Sequence, residues 1–148
     1  MTHQDAIIRP MRPSDLDGVV ALDRSITGED RSAFYRRKLR MLDGPDAVNM
    51  CLTAELDGTV VGFVMGDMFF GEYGVPEATA AIDTIGVHQG YQDRGIGTAL
   101  FAQFRSNLKA LNVHTCYALV EWGDWELAKF LKKEGFAPSN RLNLEIKL

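Results

Sequence analysis

Positive charge is in short supply in this chain. Lys and Arg number 16 against 20 Asp and Glu, for a net charge of −4. The basic footprint that nucleic acid or an anionic membrane surface requires is missing, which excludes both as chain-wide partners. Cysteine is scarcer still. Cys51 and Cys116 each sit in a β-like apolar run, and no Cys-x-x-Cys or Cys/His spacing is present. That pattern supports neither a metal site nor a disulfide framework, and reads as two buried thiols in a reducing compartment. No apolar run reaches the roughly 18 residues of a membrane span. The opening "MTHQDAIIRPMR" has no apolar core of a signal peptide, so the expected location is cytoplasmic. Internal repeats, low-complexity runs and linkers are absent as well.

What remains is an ordinary globular composition. With 148 residues, of which 46% are apolar, the chain is expected to form a single domain over 1–148 that buries its own core.

Hydrophobic spacing divides the chain into alternating element types. Ala6 to Arg9 reads as a short strand ending at Pro10, and Ser14 as the N-cap of a helix running to about Asp23. Thr27-Gly28-Glu29-Asp30 resembles a capping box for a second helix, with Phe34, Tyr35, Leu39, Met41 and Leu42 on one side and Arg36 to Lys38 mostly facing water. From Ala47 the period changes. Asn49–Leu56 and Thr59–Phe69 are β-rich and flank Asp57-Gly58, a hairpin signal because both turn positions favour residues that tolerate positive φ. After a loop from Gly71 to Glu77, Thr79–Val87 reads as a strand and Gly95–Leu111 as a helix. Val113–Val120 is the next strand. Asp124 caps a last helix, Trp125 to Glu134, which Gly135 ends, and Leu142–Leu148 alternates as a half-buried strand. The expected order is β-α-α-β-β-β-α-β-α-β: a mixed sheet with a three-stranded antiparallel meander and one parallel pair joined by a right-handed crossover. An exposed strand edge at the C-terminus leaves a homodimer open.

The informative stretch is "DTIGVHQGYQDRGIGTAL", Asp83 to Leu100. Two glycines stand where a helix begins, although glycine costs about 1 kcal/mol against alanine inside one. A helix N-terminus carries unpaired N–H groups and about half a positive charge. Bare backbone there lets an oxyanion approach closely, so Gln92 to Thr98 reads as a phosphate cradle. A P-loop would need a Lys after its glycines, and a dinucleotide fingerprint would need a third glycine; neither is present.

Gln92-Asp93-Arg94-Gly95-Ile96-Gly97 does fit Gln-x-x-Gly-x-Gly. It resembles the acetyl-CoA signature of the GNAT N-acetyltransferase superfamily. The resemblance extends over nearly the whole chain, through "IIRPMRPSD", "TVVGFV" and "FLKKEGF", and through the element order. It implies a GNAT fold of α/β class, with a parallel strand splayed at a cofactor cleft. It implies acetyl-CoA as cosubstrate, held by the loop amides of Gln92, Asp93, Arg94, Gly95, Ile96, Gly97 and Thr98. Ile85, Gly86 and Val87 would pair with the pantetheine arm, and Asp124 and Phe130 lie at positions of the last helix that border the cofactor in the family. The implied activity is acetyl transfer to a primary amine, a small cationic molecule or a protein lysine, by direct attack on the thioester and without a metal.

Asp83 is the first candidate base. Strand alternation would place it on the same face as Ile85 and Val87, and some family members carry a carboxylate there; a structural partner for the carboxylate is the competing reading. Glu121 is the second candidate, and Glu72 suits a cationic substrate better than proton transfer. Where the family usually has a Tyr acid, this chain has Leu131. Tyr117, Tyr91 and Tyr73 are substitutes, though packing is the commoner role. Trp122 and Trp125 flank the expected acceptor cleft, and His88 and His114 receive no role. A domain that binds an acyl-CoA without efficient transfer is the alternative that Leu131 keeps open.

Overall fold

A computed structural model describes residues 5–40, 42 and 50–148. Among these, five strands form one sheet in the order β1-β2-β3-β4-β5: β1 (Ile7–Pro10), β2 (Cys51–Leu56), β3 (Thr59–Phe70), β4 (Ala78–Val87) and β5 (Cys116–Ala118). The first four are antiparallel neighbours and β4 pairs with β5 in parallel. Helices α1 (Leu16–Thr27) and α2 (Ser32–Arg40) cover one face, and α3 (Ile96–Ala110) and α4 (Trp125–Lys133) the other. This is the mixed α/β fold that the sequence implies, less its last strand.

Alternation along β3 sorts the core into two halves. Val64 packs with Leu100 and Phe104 of α3, while Phe63 and Met65 pack with Val19, Leu22 and Tyr35 of α1 and α2. Helix α3 lies close on the sheet because β3 has glycines beneath it. A Cβ on Gly66 would stand 2.6 Å from the Phe104 ring, and one on Gly62 3.0 Å from Ile96. The hairpin forms as expected, with Asp57 and Gly58 both at positive φ. Burial pushes the Cys51 and Cys116 thiols up to about 11, so both stay protonated near neutral pH.

Several local expectations need correction. Thr27 does not open α2. It is the last residue of α1, and Gly28 ends that helix in the left-handed conformation. The α2 start is held instead by Asp30, whose carboxylate accepts the Ser32 N–H at 3.0 Å. Asp15, not Ser14, anchors the start of α1: a short 3-10 turn, Pro13–Asp15, precedes it, and the Asp15 carboxylate accepts the Arg12 N–H at 2.8 Å. Lys38 is not a solvated bystander, as shown below. The strand expected at Val113–Val120 shortens to Cys116–Ala118. Leu142–Leu148 is not a strand here: its residues are exposed, and no neighbouring strand is hydrogen-bonded to it. Alternation states which side chains want cover, but a ladder also needs an edge within reach. The expectations for Met41 and for Ala47 to Asn49 lie outside the described residues.

Two buried carboxylates tie α1 to its surroundings. Arg9 grips Asp15 through two bonds of 2.8 Å, and Thr53 adds a third donor. Asp23 accepts from Arg31 Nε at 2.8 Å and from the Tyr35 hydroxyl at 2.8 Å. Burial works to raise both carboxyls, but the hydrogen bonds from Arg9 and from Arg31 with Tyr35 outweigh it and hold both below the ordinary range. A depressed carboxyl stabilises the fold fully above the unfolded value near pH 4, and that contribution is lost as pH falls through the folded value. Urea unfolding is therefore expected to show stability falling below about pH 4. Asp23→Asn should flatten that fall and cost about 2 kcal/mol at pH 7. An unchanged pH profile in the variant would remove Asp23 from this role.

Candidate functional site

The sheet opens where β4 and β5 part. Their ladder holds only Ala80↔Cys116, Ala81↔Tyr117 and Ile82↔Ala118. From Thr84 to Val87, β4 still pairs with β3 on one side but, among the described residues, has no strand on the other from Asp83 onward. A free row of main-chain groups thus lines one wall of a wedge. The expected contributors Ile85, Gly86 and Val87 lie on that wall.

The loop beyond β4 leads directly to the front of α3. It makes one 3-10 turn, Gln89–Tyr91, in which the His88 ring accepts the Gly90 N–H at 3.0 Å. The Gln92 side chain then donates to the Val87 carbonyl at 3.3 Å, tying the loop to the strand end. Asp93 and Gly95 take left-handed conformations, with φ of 65° and 76°. Alternation of handedness of this kind gathers successive N–H groups into a concave anion nest. The first internal bond of α3 runs from the Ala99 N–H to the Gly95 carbonyl. The amides of Ile96, Gly97 and Thr98 therefore lack intrahelical acceptors. The Arg94 guanidinium lies over the Tyr91 ring, 5.1 Å from its centre.

The two glycines serve different purposes. Gly95 is the left-handed residue that turns the loop into the helix, and a Cβ there would meet nothing. Gly97 makes room for α4, since its Cβ would lie 3.1 Å from the Phe130 ring. Phe130 thereby stands against the cradle. Gly86 also has a packing reason: its Cβ would lie 3.1 Å from Phe63 and 3.2 Å from Ile26, on the α1 side. The Thr98 hydroxyl is already engaged, donating to Glu134 at 2.8 Å. Asp124 caps α4 as expected, accepting the Leu127 N–H at 3.2 Å.

Asp83 is not on the face that simple alternation assigns. Met65 pairs with Thr84, but Gly66 pairs with Ile82, so Asp83 is an extra residue bulged out of β4. The bulge resets the alternation. Ala80 and Ile82 pack toward α3 before it, and Ile85 and Val87 do so after it. Asp83 and Thr84 are left on the α1/α2 face. There the Asp83 carboxylate pairs with Lys38 of α2 at 2.5 Å, and Asp67 stands 3.9 Å from the same ammonium. Burial works to lower the Lys38 pKa, but the Asp83 hydrogen bond and both carboxylate charges raise it, so Lys38 is a cation. Tyr117 shares this face: it is the register partner of Ala81, two residues before Asp83, while its neighbours Cys116 and Ala118 pack toward α3. Sequence reading could name Asp83 but not separate its face from that of Ile85 and Val87, because the bulge leaves no compositional mark.

The other candidates lie apart from this pair. Glu121 is exposed beyond the end of β5, Trp122 and Trp125 are 95% and 75% exposed, and Tyr91 belongs to the loop. Glu72 is exposed in the β3–β4 loop, and the Tyr73 side chain lies outside what is described. Leu131 is buried in the core under α3. Among the described residues no group of three or more His, Cys, Asp or Glu could hold a metal, and no helix is long and apolar enough to cross a membrane.

The profile of the acetyltransferase (GNAT) family matches residues 18–136. No curated protein matches the chain. Among solved structures, the aminoglycoside N-acetyltransferase AAC(6')-Iy in complex with CoA is similar, with a TM-score of 0.80 at 14% identity over 99% of both chains. The aminoglycoside 6'-N-acetyltransferase AAC(6')-Ih from Acinetobacter baumannii gives 0.80 at 16% identity, covering 97% of this chain and 98% of that one. A ribosomal-protein-alanine N-acetyltransferase from Brucella melitensis biovar Abortus 2308 gives 0.74 at 18%, covering 97% and 99%. Likeness at these identities concerns the fold.

Proposed function

The chain belongs to the GNAT acetyltransferase family, and we propose that it moves the acetyl group of acetyl-CoA to a cationic primary amine. One observation carries this reading: the free edge of β4 from Asp83 to Val87 leads straight to the unpaired amides of α3. A pantetheine arm has amide groups that can extend a sheet edge as an added strand. Its pyrophosphate would then reach the Gln92–Thr98 nest and the positive end of α3. Arg94 offsets the charge of Asp93 beside it.

The amine has to arrive from the other face of the wedge, where Asp83, Lys38, Asp67 and Tyr117 lie. Two carboxylates and one ammonium leave that cluster net negative, which favours a cationic acceptor. A lysine-type amine of pKa about 10.4 is neutral in only about one molecule in 2,500 at pH 7. Asp83 takes the proton, directly or through a water, as the amine adds to the thioester carbonyl. A main-chain N–H of the free edge near Ile85 to Val87 stabilises the oxyanion. Tyr117 serves as the acid for the departing sulfur in this scheme. A thiol of pKa about 8.5 leaving unprotonated at pH 7 costs roughly 2 kcal/mol, so loss of this acid slows the step without stopping it.

Buried Leu131 favours a second reading, an acyl-CoA-binding domain without efficient transfer. Release of CoA thiol across an amine panel separates the two. The panel includes polyamines, an aminoglycoside, a peptide with N-terminal alanine and a lysine peptide. Amine-dependent release with at least one cationic acceptor is expected. A CoA-induced rise in melting temperature with no amine-dependent release would favour the binding domain.

A further inference from the structure

Five of the chain's lysines, Lys109, Lys129, Lys132, Lys133 and Lys147, are exposed. The sixth, Lys38, is not: its side chain is 25% exposed. It follows Phe34 by four residues and Tyr35 by three, and residues so spaced share one side of a helix. Tyr35 and Leu39 are buried and Phe34 packs against the same core, so this side of α2 is turned toward the sheet. The Lys38 ammonium meets three groups there: the Asp83 carboxylate at 2.5 Å, the Asp67 carboxylate at 3.9 Å, and the Phe34 ring, 5.6 Å from its centre. Two carboxylates and an aromatic ring make a site for a primary ammonium. Here the ammonium is the chain's own.

The same place is the fork of the sheet. Ile82↔Ala118 is the last pair of β4 and β5, and Asp83 is the first residue of β4 beyond it. In the reading proposed above, the pantetheine arm runs from the Gln92–Thr98 nest back along Val87 to Ile85, which directs the acyl end at this fork. From these features we infer that Lys38 is itself an acceptor: when no other amine is supplied, the chain moves one acetyl group onto Lys38 Nζ. The inference rests on the acetyl-transfer reading and adds a modification site to it.

The step balances without a further reactant. Lys38 gives one ammonium proton to Asp83, which passes it to water. The nitrogen lone pair forms the amide bond to the acetyl carbon, and the carbon–sulfur bond breaks with its electron pair going to sulfur. The second nitrogen proton ends on the coenzyme A thiol. The product amide has no basic nitrogen, so the reaction stops at one acetyl group per chain. Unassisted acylation would choose differently, since it favours accessible amines that lose a proton readily. Lys38 is the least accessible lysine, and against burial the Asp83 hydrogen bond and both carboxylate charges hold it as a cation. Chance acylation should therefore reach it last.

Peptide mass spectrometry on the full chain, after incubation with acetyl-CoA and no amine, tests this. Lys38 is expected to be labelled ahead of the five exposed lysines, with one CoA thiol released per chain. Excess CoA should suppress labelling at Lys38 and leave the exposed lysines unaffected, a comparison that needs no variant. Asp83→Asn should slow the labelling of Lys38 by about 10²-fold or more, the usual worth of a positioned base. Exposed lysines labelled ahead of Lys38, labelling of Lys38 that CoA does not suppress, or a wild-type rate in Asp83→Asn overturns the inference. The amine panel separates its failure from that of the transfer reading. Amine-dependent release of CoA with Lys38 unlabelled overturns self-transfer alone. No labelling and no amine-dependent release overturns both.

Discussion

Asp83→Asn is expected to lower kcat/KM for the best amine by about 10²–10⁴-fold, the usual worth of a positioned general base. CoA affinity should not change, because the carboxylate lies on the face opposite α3. The competing role for Asp83 is structural, as the partner of Lys38 at 2.5 Å. Lys38→Met separates the two. It removes the same ion pair while leaving the carboxylate in place. If Asp83 only anchors α2 to β4, both variants lose activity and melting temperature to the same degree. If Asp83 accepts the proton, Lys38→Met retains most of its turnover and Asp83→Asn does not. Steady-state kinetics and thermal melts on the two variants decide the matter, and equal losses in both would retire Asp83 as base.

Gly97→Val is expected to weaken CoA binding by about 10²-fold, through loss of one or two charge-assisted hydrogen bonds worth about 1.5–3 kcal/mol each. The cause is indirect. A Cβ at this position stands 3.1 Å from the Phe130 ring, so α4 and the front of α3 have to separate. That movement turns the amides of Ile96, Gly97 and Thr98 away from a common focus. Trimming Phe130 to Leu in the same background should restore much of the affinity. Gly123→Ala, where an added Cβ meets nothing within 4 Å, should leave it unchanged. Calorimetry on the three variants checks each step. Wild-type affinity in Gly97→Val would mean that the diphosphate sits elsewhere.

These two residues mark what sequence could and could not reveal. Gly95 and Gly97 were legible because a helix start rarely tolerates two glycines without a reason. The turn at Asp57-Gly58, the Asp124 cap and the Gly135 exit were legible for the same kind of local cause, and each forms as expected. The reason for Gly97 was not legible, since Phe130 approaches it from 33 residues further along the chain. Nor was the side on which Asp83 projects. A bulge is a property of two strands, and the register slip between Met65 and Gly66 shows only once they pair. Thr27 misled because Gly28, inside the apparent capping box, was free to end the previous helix in a left-handed turn. The Leu142–Leu148 arm misled in a different way. Its alternation marks which side chains favour cover, but among the described residues no strand pairs with it.

The claim on which the rest depends is that the bare amides at the front of α3, continuous with the free edge of β4, grip the diphosphate of coenzyme A. Amide chemical-shift mapping with CoA tests this most directly. The largest shifts are expected at Arg94 to Thr98 and at Ile85 to Val87, and they should be absent from Gly97→Val at the same CoA concentration. Shifts confined to other surfaces, or none at millimolar CoA, would contradict it.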